Sequence, residues 1–395
     1  MRVLYVCDYQ SPGLVETRGI GRNLHAGGNQ KVERICRALG LVGVSVEVLS
    51  SGYPGNRSGK WLPAFTDSLD QTVPIHYCQT LDIPRLGQWM SGMAMKHWVR
   101  QAGPWDAVLL YNLAETQLEA ALFASRFFRI PLVVEYEDDA TISISGPNRM
   151  HRWKGRRALG RVNRMIKGAV VVCPELAQQL KTDNVLALPG IVEVEIRFDK
   201  APLRSRNERN RRPVFLYSGG LNWLKGPDLL ISALQYLRSP VELHIFGDGP
   251  LRAQLENEIK QIEGHCVRLH GFAERAVLDE ALMNADICVN PHRMGRGHSG
   301  TLFPFKVLEY LSFGKPVVSS RQLQMPDGVS GAVVTYERDT PEDLGAALSY
   351  CIDQLDSLQE TAGQAADYVR SHYTVEAIAP QIKGIIDRAL AGIER

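Results

Sequence analysis

The chain has 395 residues, with 45 Lys and Arg against 43 Asp and Glu, a formal net charge of +2 and 45% hydrophobic residues. This predicts two or three soluble globular domains at about 100–200 residues each, and the near-neutral balance argues against a broad nucleic-acid-binding surface. The seven scattered cysteines form no Cys-x-x-Cys pair, so neither a zinc site nor a disulfide framework is expected and a cytoplasmic setting fits; no apolar run is long enough to predict a membrane span, and Met1–Asp8 is too soon interrupted for a signal peptide.

In chain order, Val3–Cys7 predicts a buried parallel strand, residues 10–28 a polar Gly-rich loop, Gln30–Leu39 a helix and Ser45–Ser50 a second strand. Gly19-x-Gly21 is not a dinucleotide fingerprint, because it lies too far from the strand and lacks the third glycine. Residues 51–72 read as a polar loop. Asp106–Tyr111 predicts a strand, Glu115–Arg126 a helix, and Leu132–Tyr136 a strand ending in Glu137-Asp138-Asp139. Ligands of open parallel sheets bind beyond the carboxyl ends of the strands, so this acidic triplet either faces a site or forms a surface turn.

Arg149–Lys167 carries eight Lys or Arg and no acid. A helix here would place Leu159, Val162, Met165 and Ile166 beside a basic face. Such a face packs on the sheet as a solvated surface, or meets an anionic membrane or a phosphorylated acceptor, with Arg149 and Arg152 as acceptor-side candidates beside Glu137 and Asp138. Ala169–Pro174 predicts a strand, and Glu175 opens a short helix.

Residues 204–212 are basic, polar and without an apolar period, which predicts an inter-domain linker. From Pro213 the organisation repeats. Strands are predicted at Val214–Ser218, Glu242–Phe246, Cys266–Phe272 and Ile287–Pro291, with helices starting at Asp228 and spanning Arg252–Ile262 and Val277–Asn284. Ser218-Gly219-Gly220-Leu-Asn-Trp-Leu-Lys225-Gly226 follows the first of these strands, but lacks the Gly-Lys-Ser/Thr end of a P-loop. The stretch 295–320 reads as a loop kept bare by Gly295, Gly297 and Gly300, then a helix opened by Pro304 and ended by Gly314, then the strand Pro316–Ser320. A loop feeding a helix N-terminus is an anion site in waiting, and Lys306 and Glu309 share a helix face beside it. Gly328–Val334 predicts a turn and strand, and residues 341–354, 357–371 and 375–393 predict helices.

The run Pro304-x-Lys306-x-x-Glu309-Tyr310-x-x-x-Gly314-Lys315-Pro316-Val317-Val318 resembles the donor-sugar signature of GT-B glycosyltransferases, in the retaining family 4 among the group 1 glycosyl transferases. The resemblance covers nearly the whole chain, strongly from 213 to 335 and weakly before 130. It implies an α/β fold of two doubly wound Rossmann-like domains facing a cleft: residues 1–203 for the acceptor, 204–212 as linker, 213–374 for the donor, and a 375–395 helix crossing back to the first domain.

The family carries two glutamates with seven residues between them. Here the second is Glu309, implied to hold the nucleotide ribose, and Thr301 stands where the first is usual. Lys225 matches the lysine that holds the donor phosphates, and Gly220 stands where the family arginine usually is. Arg293, Arg296 or Lys306 could supply the missing cation. Gly28, after Gly27, looks like the N-terminal glycine pair near the donor diphosphate, or else a flexible loop before a helix. Gly219, Phe272, Leu302 and Phe303 complete the implied donor contacts, and Glu137 takes the place of a family histidine near the acceptor. Lys225, Glu309 and Glu137 are therefore the expected catalytic residues.

The implied function is transfer from a nucleotide sugar, UDP-linked for preference, to a glycan, a lipid-linked sugar or a small molecule. No cofactor or metal is expected, since no Asp-x-Asp sits in strand-end context. A peripheral contact with the inner face of an anionic membrane is the expected further partner. Thr301 and Gly220 leave open a nucleotide-sugar-binding protein without transfer activity, and a sugar-nucleotide epimerase is the other alternative. A phosphorylase would need a pyridoxal lysine site that is not found.

Overall fold

The computed structural model describes residues 1–20, 26–55, 57–142, 148–193, 212–293, 305–321 and 325–392. It divides into two compact units, Met1–Ile191 with Val375–Arg395, and Val192–Thr374.

The first unit contains β1 (Arg2–Val6), α1 (Pro12–Thr17), α2 (Ala26–Leu41), β2 (Ser45–Ser50), β3 (Trp61–Leu62), β4 (Phe65–Leu69), β5 (Val73–Tyr77), β6 (Thr80–Leu81), α3 (Leu86–Ala102) and β7 (Ala107–Tyr111). It continues with α4 (Glu115–Phe128), β8 (Leu132–Tyr136), α5 (Arg149–Val162), β9 (Ile166–Val171), α6 (Pro174–Ala177) and β10 (Val185–Ala187). Eight strands form one sheet in the order β10-β9-β8-β7-β1-β2-β5-β4. All pair in parallel except the edge strand β4, which runs antiparallel to β5. The central strands are apolar on both faces, as helix-covered parallel strands must be; Val3, Leu4, Tyr5 and Val6 are all buried.

Four sequence expectations need correction here. The loop 10–28 contains α1, started by Pro12 and capped by the Ser11 hydroxyl, which accepts from the Leu14 N–H at 3.2 Å. Helix α2 begins at Ala26, not Gln30. The polar stretch 51–72 contains β3 and β4, and β4 alternates between half-buried and exposed residues because it is an edge. The basic helix ends at Val162, so Ile166 belongs to β9 and not to the helical stripe.

The second unit contains β11 (Val214–Ser218), a 3-10 turn at Trp223–Lys225, α7 (Pro227–Ala233), β12 (Glu242–Phe246), α8 (Arg252–Ile259), β13 (Cys266–Gly271), α9 (Arg275–Asn284) and β14 (Ile287–Asn290). Then come α10 (Phe305–Ser312), β15 (Val317–Ser320), α11 (Asp327–Ser330), β16 (Val333–Tyr336), α12 (Pro341–Asp353) and α13 (Leu355–Tyr373). Its six strands are all parallel, in the order β13-β12-β11-β14-β15-β16. The sheet order reverses direction at β11, the first strand, so β12 lies on one side of it and β14 on the other. That switch point is where an open parallel sheet leaves a crevice for a ligand.

The final helix, α14 (Val375–Ala391), belongs to the first unit and packs on α2 and β9. Its buried stripe Ile378, Ile382, Ile385, Ile386 has helical spacing. Asn184 fastens it, donating to the Ile385 carbonyl at 2.8 Å and accepting from the Arg388 Nε at 2.7 Å. The second unit begins earlier than the sequence suggests: the Val192 N–H donates to the Tyr373 carbonyl at 2.8 Å. The expected linker lies outside the described residues, apart from Arg212.

Gly247, after β12, has φ +132°, and a Cβ there would lie 1.9 Å from the Gly219 carbonyl oxygen. The turn after β12 thus rests backbone to backbone on the loop after β11. Gly247→Ala is expected to destabilise the protein by about 2–3 kcal/mol through strain and displacement. Urea unfolding checks this as a lowered midpoint at unchanged slope.

Candidate functional site

At the carboxyl end of β11 the chain passes through Gly219, with φ +150°, and Gly220. The Gly220 carbonyl accepts from the Tyr217 hydroxyl at 2.9 Å. The chain then folds into the Trp223–Lys225 turn, whose start is held by Asn222; its side-chain oxygen accepts from the Lys225 N–H at 3.0 Å. Gly226 closes the turn at φ +69°, where a Cβ would fall 2.0 Å from the Pro291 carbonyl oxygen. Arg293 clamps this turn with a bidentate pair to Asp228 at 2.9 and 2.7 Å, and its guanidinium lies 4.9 Å over the Trp223 ring. Lys225 is thereby aimed from a fixed backbone, with its Nζ 3.5 Å from His292 Nδ1.

Helix α10 is tied to the same strand end. The Ser218 N–H donates to the buried Tyr310 hydroxyl at 2.8 Å, and the Ser218 Oγ lies 3.0 Å from that hydroxyl. Lys306 and Glu309, one turn apart, share the side of the helix carrying Tyr310. The Lys306 Nζ lies 4.2 Å from the centre of the Tyr217 ring and 3.1 Å from the point a Cβ on Gly219 would occupy. It is buried, with no hydrogen-bond partner among the described residues. Burial first, and Lys225 next, hold its amine well below the usual lysine range, while Glu309 pulls the other way.

Glu309 pairs with Arg275, which also reaches Asp279 at 2.8 Å. Phe272, just beyond β13, is 84% exposed. Thr301, Leu302, Phe303 and Arg296 lie outside the described residues. No sequence motif marks Arg275; its one signal is its place at the first position of a helix three residues past Phe272.

In the first unit, Gly28 lies in the first turns of α2, and a Cβ there would come 3.5 Å from the Tyr111 hydroxyl. That hydroxyl donates to Glu137 Oε2 at 2.6 Å. Lys31, one turn beyond Gly28, pairs with Glu137 and lies 3.3 Å from Glu135. Glu135 is buried within β8 and accepts from the Tyr5 hydroxyl. Gly28 and Glu137 are therefore neighbours, joined through Tyr111 and Lys31. Asp138 is turned aside: Asn112 donates to its carboxylate at 3.0 Å and accepts from the Glu137 and Asp138 N–H groups at 2.9 and 3.1 Å. Asp139 accepts from Gln179 at 2.8 Å. Arg149 and Arg152 are exposed in the first turn of α5, which the Asn148 side chain caps.

A glycine-bare strand end at a switch point, with two lysines converging on it, is a receptor for a multiply charged anion. The pattern described as "Glycosyl transferases group 1" matches residues 212–354, and "Glycosyl transferase 4-like domain" matches residues 26–189. The chain belongs to the group 1 glycosyltransferases, of GT-B fold. Alpha-D-kanosaminyltransferase of Streptomyces kanamyceticus is 25% identical over 293 residues, 66% of this chain and 71% of that one. The fold matches that of Anabaena HepE in complex with UDP, with TM-score 0.69, 19% identity, and coverage of 98% of this chain and 100% of that one. Sucrose-phosphate synthase from Thermosynechococcus elongatus matches with TM-score 0.71, 14% identity and 99% of each chain. In this group 1 glycosyltransferase, positions 225 and 309 hold a lysine and a glutamate, while position 220 is a bare glycine.

Burial pushes the Glu135 carboxyl up to about 7, against Lys31 and with Glu137. A carboxyl raised on folding binds its proton more tightly in the folded state, so its stabilisation is present at low pH and is lost as pH rises through about 7. Wild type is therefore expected to lose stability relative to Glu135→Gln between about pH 5 and pH 8, by up to about 1.4 kcal/mol per pH unit. Denaturant melts of the two proteins across that range check the sign; a wild type that gains on the variant overturns it.

Proposed function

We propose that the protein is a retaining glycosyltransferase that takes its sugar from a nucleotide donor, UDP-linked for preference, and passes it to a glycan, a lipid-linked sugar or a small molecule. The observation that carries this reading is the convergence of Lys225 and Lys306 on the bare Gly219–Gly220 strand end, with Glu309 on the same helix. When the glycosidic bond to the donor breaks, negative charge grows on the departing phosphate while the sugar becomes cationic. Fixed cations that need no reorganisation stabilise that charge. Lys225, set on its clamped turn, meets this requirement. Glu309 is assigned to the ribose and Phe272, exposed beyond β13, to the base. Gly28 is assigned to the diphosphate, and Glu137 to an acceptor hydroxyl, with Arg149 and Arg152 beyond it. The preference for a UDP-linked donor follows the complex of HepE with UDP.

Lys225→Ala is expected to lower kcat/KM about 10²–10³-fold, the usual loss of one such donor to a developing anion. A thermal-shift panel of UDP, GDP, ADP and their sugars names the base, because a ligand at 100 times its Kd adds about 2.7 kcal/mol. A selective shift reduced in the variant supports the donor site; no shift with any nucleotide overturns it. Donor consumption without any acceptor would favour the epimerase instead.

We place the first unit against an anionic bilayer. On α3, the exposed Leu86, Trp89 and Met93 share one face; on α5, Met150 and Trp153 are exposed among Arg149, Arg152, Lys154 and Arg156. The two helices flank α4, with Lys96 and Arg161 meeting Glu119 from either side. Gly92 sits by Thr116 and Lys154 by Glu115, so the exposed aromatic residues of both helices lie toward the same end. Apolar residues inside a basic field suit a headgroup interface. Co-flotation with vesicles containing 30% phosphatidylglycerol is expected, and the pair Arg152→Glu with Trp153→Ser should reduce it at least about fivefold. Equal flotation of the two proteins, or none of wild type, overturns the placement.

A further inference from the structure

Among the described cations near the β11 strand end, Arg293 is committed. It holds Asp228 with two hydrogen bonds and covers the Trp223 ring, so its charge is spent on shaping the turn that carries Lys225. Arg275 is likewise committed, to Glu309 and Asp279. Lys306 differs from both. Its Nζ is buried, has no hydrogen-bond partner among the described residues, and stands 3.1 Å from where a Gly219 Cβ would be. A buried nitrogen with nothing to bond is costly, and such a group needs a reason. Any side chain at 219 would crowd the lysine, so the glycine keeps the space beside the ammonium open.

We infer that Lys306 is the second cation of the donor's diphosphate clamp, acting beside Lys225 in place of a side chain at Gly220, and that it takes up a proton from solvent as the diphosphate arrives. This rests on the donor reading above and goes beyond it, since it selects Lys306 for the diphosphate and adds a proton linkage to donor binding.

The charges around Lys306 explain the proton. The Tyr217 ring from β11 offers its face, and Lys225 from the turn repels an ammonium. From its own helix Glu309 attracts it, but that carboxylate is shared with Arg275. In the free protein, burial and Lys225 together disfavour the charged form. A diphosphate between the two lysines reverses the balance, because its negative charge outweighs their mutual repulsion. Binding therefore draws in a proton, and donor affinity falls as pH rises above the free-protein value of the amine.

The test is calorimetry of UDP binding at pH 8.0, where UDP itself no longer takes up protons, in two buffers of different ionisation enthalpy. Uridine is the phosphate-free control, and GDP and ADP run in parallel. Wild type should take up protons on binding UDP, with an observed enthalpy that depends on the buffer. Lys306→Met and Lys306→Gln should take up none, bind UDP at least about tenfold more weakly, and bind uridine as wild type does. Free Lys306→Met should melt at or above wild type, because it removes a buried amine with no partner among the described residues, and its UDP-induced shift should shrink. UDP binding without proton uptake in wild type, or undiminished UDP affinity in both variants, overturns this assignment and leaves the donor site standing. Failure of UDP, GDP and ADP alike to bind wild type overturns the donor reading and this inference with it.

Discussion

The hydrogen bond between the Tyr310 hydroxyl and the Ser218 backbone N–H organises the second unit. It is buried and joins a helix to the last residue of the central strand. The strand end would otherwise leave that N–H without a partner, at a cost of about 1–3 kcal/mol. Satisfying it with a tyrosine fixes the rotation of α10 as well as its distance. Lys306 and Glu309 lie on the same side as Tyr310, so their directions follow from that one bond. Gly219 and Gly247 complete the arrangement by letting two loops touch through their backbones.

The first unit solves a similar problem by charge. Glu135 interrupts an apolar strand and would be untenable alone in the sheet. Lys31 reaches it from α2, and Tyr5 and Tyr111 provide hydroxyl donors to the two glutamates. One ammonium serves two carboxylates, and burial pushes the more buried of them, Glu135, up to about 7. Glu137, half-buried at the strand end, is the member of this cluster that reaches the surface.

Much of this was legible in the sequence. Apolar runs such as Val3–Cys7 and Val214–Ser218 mark parallel strands, because both faces are covered by helices. Lys225 and Glu309 stood out through the family resemblance of the runs that carry them. The edge strand β4 was not, since half of its side chains face solvent and read as loop. Helix α1 hid in a polar stretch, although Ser11-Pro12 carried its start signal. Glu135 and Lys31 are 104 positions apart, and only the pairing of β8 beside α2 brings them together. Lys306 was visible as a cation on the right helix face, but that its Nζ is buried without a partner among the described residues is a three-dimensional fact. Sequence offered Arg293 as an equal candidate, and only the Asp228 pair separates the two.

The return of α14 to the first unit has a bearing on synthesis. Domains usually fold in the order in which they leave the ribosome. Here the sheet of the first unit is made early, but the surface of α2 and β9 that α14 covers stays bare until translation has passed Ala391. The second unit, one uninterrupted stretch from Val192 to Thr374, can finish first. The nascent chain thus carries an exposed aliphatic face until the last seventeen-residue helix is made and covers it.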